Sequence, residues 1–155
     1  MIEKLDEAGS RVSVMQRQEA LGLLDELLAN LRAAMTAPSA ETHQLFALAN
    51  RTLHGLPLDV LSESRVEGLL LSAQFAYVSG QPFAGLEHAG LAVECARGLR
   101  DQALLRKALT FHGILLADTG NIATAVERYA EALEIAELLH DLRAETPVWV
   151  NLGSA

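Results

Sequence analysis

DQALLRKALTFHGILLADTG, from Asp101 to Gly120, and NIATAVERYAEALEIAELLHD, from Asn121 to Asp141, decide how this chain folds. In the first part, apolar residues fall at Leu104, Leu105, Ala108, Leu109, Phe111, Ile114, Leu115 and Leu116. That is the three-and-four spacing of a helix with a broad buried face. Asp101 is placed to cap its start. Gly120 ends it, because the residue just past a helix often takes a positive φ, which glycine adopts without steric cost. Asn121 then caps a second helix whose buried side carries Ile122, Ala125, Val126, Tyr129, Ala132, Leu133 and Ala136. Two helices joined by so tight a turn are antiparallel neighbours, and the small residues Gly113, Ala125 and Ala132 let their backbones approach closely.

The run His112-Gly113, Leu116, Gly120-Asn121-Ile122, Ala125, Tyr129 and Ala132-Leu133 resembles the tetratricopeptide repeat. His112 stands where that pattern usually has Leu, and Ile122 where it usually has an aromatic residue. The resemblance implies an all-α chain of antiparallel helix pairs stacked as a right-handed superhelix, an α-solenoid of about seven helices.

Shifting the chain by 40 residues lays Gly80 on Gly120, Ala92 on Ala132, Val93 on Leu133, Ala96 on Ala136, Leu99 on Leu139 and Asp101 on Asp141. A hairpin of the same plan therefore precedes the first. Its opening helix is capped by Ser64, Ser62 or Asp59, runs through Val66, Leu69, Leu70, Ala73, Ala76 and Tyr77, and closes at Gly80. Its second helix begins at Pro82 and runs through Phe83, Leu86, Ala89, Ala92 and Val93 to about Arg97, with Gly98 as its end. Further upstream, Val14, Leu21, Leu24, Leu28, Leu31 and Met35 mark a long helix over about Arg11 to Met35. A shorter helix, capped by Ser39, runs to His54 and is closed by Gly55 and Pro57. The expected pairs are 11–54, 59–98 and 101–140, preceded by a frayed arm at 1–10. Forward by the same step, Trp149-Val150-Asn151-Leu152-Gly153 resembles the opening of an incomplete further repeat at 143–155. Its apolar residues Trp149, Val150 and Leu152 mark an open end for self-association, as in a homodimer, or imply that the chain continues.

The 40-residue step exceeds the usual ~34 of the family. Such lengthened repeats resemble those of bacterial regulators, where arrays precede a signalling output domain such as a GGDEF-type diguanylate cyclase, a histidine kinase or a DNA-binding regulator. The resemblance also puts the first helix of each pair on a concave groove. Asn30 and Ala34, then Glu67, Leu70, Gln74 and Tyr77, then Lys107, Thr110, Phe111, Ile114 and Asp118 map to that surface. Leu70, Leu71 and Phe111 occupy positions where carboxylate-clamping members of the family carry Lys, Asn and Arg, so no carboxylate clamp is expected. Aromatic residues at helical spacing are more often core than ligand platform, and by that measure Tyr77 and Phe111 lie between pairs.

Composition narrows the function classes. The net charge of −8, with 12 basic residues dispersed along the chain, argues against nucleic acid. No apolar run reaches the ~18 residues of a membrane span, and Met1-Ile2-Glu3-Lys4-Leu5-Asp6-Glu7 lacks the basic start and apolar stretch of a secretion signal; a cytoplasmic location is the default. The single Cys95 excludes an internal disulfide and reads as a small buried hydrophobe. His43, His54, His88, His112 and His140 show no i, i+4 pairing, so no metal is expected. Glu127, Glu131, Glu134 and Glu137 read as a solvated helix face. No catalytic constellation and no cofactor motif stand out. The expectation is a protein-interaction scaffold, the N-terminal regulatory or dimerisation module of a larger signalling protein. The alternative is a small-molecule or peptide sensor with a pocket near Tyr77 and Phe111, and self-association alone is a third reading.

Overall fold

The computed structural model describes residues 14–140. Six helices fill that span: α1 (Val14–Thr36), α2 (Thr42–Gly55), α3 (Glu63–Val78), α4 (Pro82–Leu99), α5 (Gln102–Asp118) and α6 (Ile122–Leu138). No strand occurs among the described residues. The expected arm at 1–10 and the expected seventh helix at 143–155, with Trp149, Val150 and Leu152, lie outside them. No described helix is long and apolar enough to cross a membrane.

The most extensive packing is within the hairpins α3–α4 and α5–α6 and between α4 and α5. The opening helices of successive pairs also meet, α1 on α3 and α3 on α5. The two hairpins repeat each other down to their turns. Gly80 and Gly120 both take positive φ, 75° and 89°. The N–H of Gln81 donates to the Ala76 carbonyl at 2.8 Å and that of Asn121 to the Leu116 carbonyl at 2.8 Å, a bond that reaches five residues back and satisfies a carbonyl at the end of each opening helix. Twenty residues on, Arg100 and His140 are left-handed at φ 58° and 51°.

Small residues set the closeness of packing. A Cβ on Gly113 would stand 2.5 Å from Cε1 of Tyr129, a ring that is buried, and one on Gly85 would stand 3.0 Å from the Ala73 carbonyl oxygen. The main core combines Leu24, Leu27 and Leu31 of α1 with Phe46 and Leu53 of α2, Val66 and Leu69 of α3, and Leu105 and Leu109 of α5. Phe46 stacks on Phe75 with ring centroids 4.2 Å apart.

Several local expectations are corrected. The cap of α3 is Ser62, whose hydroxyl accepts the Arg65 N–H at 3.0 Å, not Ser64, which donates to Asp25. Asp101 does cap α5, accepting the Leu104 N–H at 3.0 Å, whereas the Asn121 side chain makes no capping bond. Ser39 lies in the turn ahead of α2, its N–H donating to the Thr42 hydroxyl at 2.8 Å, and the helix opens at Thr42. Gly98 does not end α4. The helix runs on to Leu99 and the left-handed residue is Arg100, while Gly98 lies against Leu61. Ile122 and Val126, expected on the buried side of α6, are exposed, as is Phe83 near the start of α4.

Candidate functional site

Helices α3 and α5 lie side by side, and a surface trough of about 320 Å³ opens between them. It is lined by Glu67, Leu70, Leu71 and Gln74 from α3 and by Arg106, Lys107, Thr110, Phe111 and Ile114 from α5. Helical geometry explains the selection, since residues three and four apart share a face. The 40-residue step explains the pairing: Glu67 with Lys107, Leu70 with Thr110, Leu71 with Phe111 and Gln74 with Ile114. The trough is the seam between equivalent faces of two repeated hairpins.

One end of the trough is charged. The Lys107 ammonium donates to both Glu67 carboxylate oxygens at 2.9 Å, and Arg32 of α1 stands 3.7 Å from the same carboxylate. Glu67 is 17% exposed and the two cations 55% and 59%, so one sheltered carboxylate links three helices. The middle is apolar. Leu70 is buried, and Leu71, Phe111 and Ile114 are half-buried. The Thr110 hydroxyl donates to the Arg106 carbonyl at 2.9 Å. Phe111 does two things at once, packing against the small cluster of Ala73, Ala89 and Leu115 and lining the trough.

Tyr77 and Asp118 are not part of this lining. They pair with each other, and the hydrogen bond to Asp118 raises the Tyr77 pKa above its ordinary value. Tyr77 is 42% exposed, so the reading that buries it between pairs is corrected. Seven of the residues expected on the groove, Glu67, Leu70, Gln74, Lys107, Thr110, Phe111 and Ile114, are brought together. Arg106 lines the trough without having been marked by the sequence, because it is one step off the repeat register of Lys107. Asn30 and Ala34 of α1 lie outside the lining.

Two other clusters bear on chemistry. His54 Nε2 and His88 Nδ1 are 2.7 Å apart, linking α2 to α4. Burial lowers both pKa values; for His88 the value falls to about 4, with His54 adding to the drop and Glu87 opposing it, and for His54 Glu87 opposes and Arg65 adds to the drop. Both rings are therefore neutral at pH 7. Cys95 is buried, and that burial pushes its thiol up, which leaves little thiolate for reactivity. No group of three His, Cys, Asp or Glu side chains that could hold a metal ion occurs among the described residues.

No protein-family model, no curated protein and no solved structure matches the chain.

Proposed function

We propose that this chain is a protein-interaction scaffold of tetratricopeptide type whose α3–α5 trough receives a peptide segment of a partner. The observation that carries the reading is the trough itself. Four pairs of equivalent residues, one from each hairpin, face an apolar channel that opens at the surface and has a charged end. An amphipathic segment could lay apolar side chains along Leu71, Phe111 and Ile114, as helices do in grooves generally. Repeated turns at Gly80 and Gly120 and the Gly113–Tyr129 approach support the family assignment. The wider context, a regulatory or dimerising module of a bacterial cytoplasmic signalling protein, rests on the resemblance of the lengthened repeat.

The test is binding by peptides selected on the purified full chain from a random library. Phe111→Ala and Lys107→Ala should each weaken the selected peptides by roughly 10-fold, about 1.4 kcal/mol, with helix content unchanged. Peptides that bind both variants as tightly as the parent would remove the trough from the interaction. A second reading, a small-molecule sensor, is favoured by the volume of about 320 Å³, at the lower bound of the ~300–1,000 Å³ of ligand pockets. A fragment screen read by ligand-observed NMR separates the two: hits abolished by Ile114→Trp, which fills the trough, support the sensor.

A further inference from the structure

The α3–α5 trough lies between two differently charged points. Lys107 beside Glu67 marks one end, and Asp118 beside Tyr77 stands just past the other, so α3 and α5 run in the same direction with their starts at the first end. There the Lys107 and Arg32 cations, both more than half exposed, share the single sheltered Glu67 carboxylate, and positive charge is left over. At the far end Asp118 is exposed, and the Tyr77 hydroxyl bonded to it brings no charge to offset the carboxylate. Lys107 and Asp118 are 11 residues apart. That is about three helical turns and about 16 Å, which puts both on one face of α5. Between them the floor is apolar, with Leu71, Phe111 and Ile114.

We infer that the occupant of the trough is a helical segment of a partner protein, with an acidic side chain at one end of its apolar stripe and a basic one about 11 residues, or three turns, away. The inference rests on the trough reading above and adds to it the conformation and charge order of the ligand. The acidic side chain meets Lys107 and Arg32. The basic one meets Asp118, whose carboxylate has lone pairs left after the Tyr77 bond. Conformation follows from the walls. Both are helices whose backbone groups are bonded internally, and the Thr110 hydroxyl proton is already given to the Arg106 carbonyl. An extended strand laid over the apolar floor would leave its own N–H and C=O groups buried without partners, whereas a helix arrives with them paired. The net charge of −8 would by itself favour a wholly basic ligand, so a preference for an acidic end is the signature of the Lys107 end alone.

The test uses labelled, end-blocked alanine-rich helical peptides with a leucine stripe, titrated on the full chain by fluorescence anisotropy. Their end pairs, about three turns apart, are Glu with Lys, Glu with Glu, or Lys with Lys. The mixed pair should bind roughly 5-fold tighter than either like pair. Asp118→Asn should weaken the mixed peptide roughly 3-fold without weakening the Glu–Glu peptide, and Tyr77→Phe, which keeps the carboxylate, should weaken neither. Equal affinities for the end pairs overturn the charge order and leave the trough reading intact. Tighter binding by a peptide with Glu and Lys about five residues apart, the spacing an extended strand needs, overturns the helical ligand. An equal loss in Tyr77→Phe overturns the Asp118 contact. Failure of all these peptides, while library-selected peptides still bind in a manner sensitive to Phe111→Ala, overturns the proposal alone; failure of both sets removes the trough reading with it.

Discussion

The Arg65 guanidinium donates twice to the Leu53 carbonyl, through Nε at 3.2 Å and Nη2 at 3.0 Å, at the C-terminal end of α2. Its remaining donors reach the carbonyls of Leu56, Pro57 and Val60 at 2.7 to 2.8 Å. A fully buried cation is thus satisfied without a carboxylate, by carbonyls that α2 leaves unpaired at its end and by the turn into α3. Burial lowers its pKa, opposed by the fields of Cys95 and Asp59. Lysine carries three donors on one atom and cannot span four oxygens. Arg65→Lys should therefore cost about 2–4 kcal/mol in urea denaturation, because carbonyls are left buried and unpaired. A loss below about 0.5 kcal/mol would show that the chelation contributes nothing net.

Gly113→Ala sets two effects against each other. Alanine gains up to ~1 kcal/mol of helix propensity, but its Cβ would collide with the Tyr129 ring at 2.5 to 3.1 Å, and overpacking costs about 1–3 kcal/mol. The clash wins, and the variant should be less stable by about 1–2 kcal/mol. Adding Tyr129→Leu should recover part of that loss, a non-additivity that a double-mutant cycle measures. Gly22 of α1 has nothing within 4 Å of its would-be Cβ, so Gly22→Ala should stabilise by about 0.5–1 kcal/mol.

Acid should weaken the fold before carboxylates titrate. His88 has a folded pKa of about 4 against 6.5 unfolded, and so does His112, where burial and then Arg128 lower it. Between those values the unfolded chain binds more protons, so stability rises with pH. The contribution is fully present above pH 6.5 and is lost as pH falls toward 4. For His88, which is 8% exposed, the loss by pH 5 is about 2 kcal/mol. Thermal denaturation at pH 7 and pH 5 should show a fall in Tm that His88→Gln reduces. An equal fall in that variant would place the sensitivity elsewhere.

Arg100 holds a left-handed conformation at φ 58° where its hairpin passes to the next. A side chain there costs roughly 1–2 kcal/mol that glycine avoids, less the entropy glycine loses on folding. Arg100→Gly should raise the urea midpoint by an amount equivalent to about 0.5–1 kcal/mol, with an unchanged m-value. A lowered midpoint would mean that the Arg100 side chain contributes more than its backbone strain costs.

Sequence periodicity reached the helices because apolar spacing and turn chemistry are local. It reached most of the trough lining because the 40-residue step sets Glu67 beside Lys107 and Leu71 beside Phe111. What it did not reach depends on contacts between segments far apart in the chain. Nothing in the helical spacing of α3 singles out Arg65, and only the proximity of the α2 end explains its burial. His54 and His88 are 34 residues apart and meet across two helices, which no within-helix spacing can signal. Tyr77 and Asp118 share the face of the lining residues but lie toward the helix ends, past the trough, where they engage each other. Gly98 misled for a different reason: its place near the end of α4 fits a turn, while its role is to leave room for Leu61.

The repeated turns at Gly80 and Gly120 make length an adjustable property of this protein. No described helix packs extensively on one more than two places away in chain order. A duplicated block running from one such glycine to the next would therefore meet neighbours of the kind it came from. Each added copy would bring another trough like that between α3 and α5, while the interior of every hairpin stays as it is.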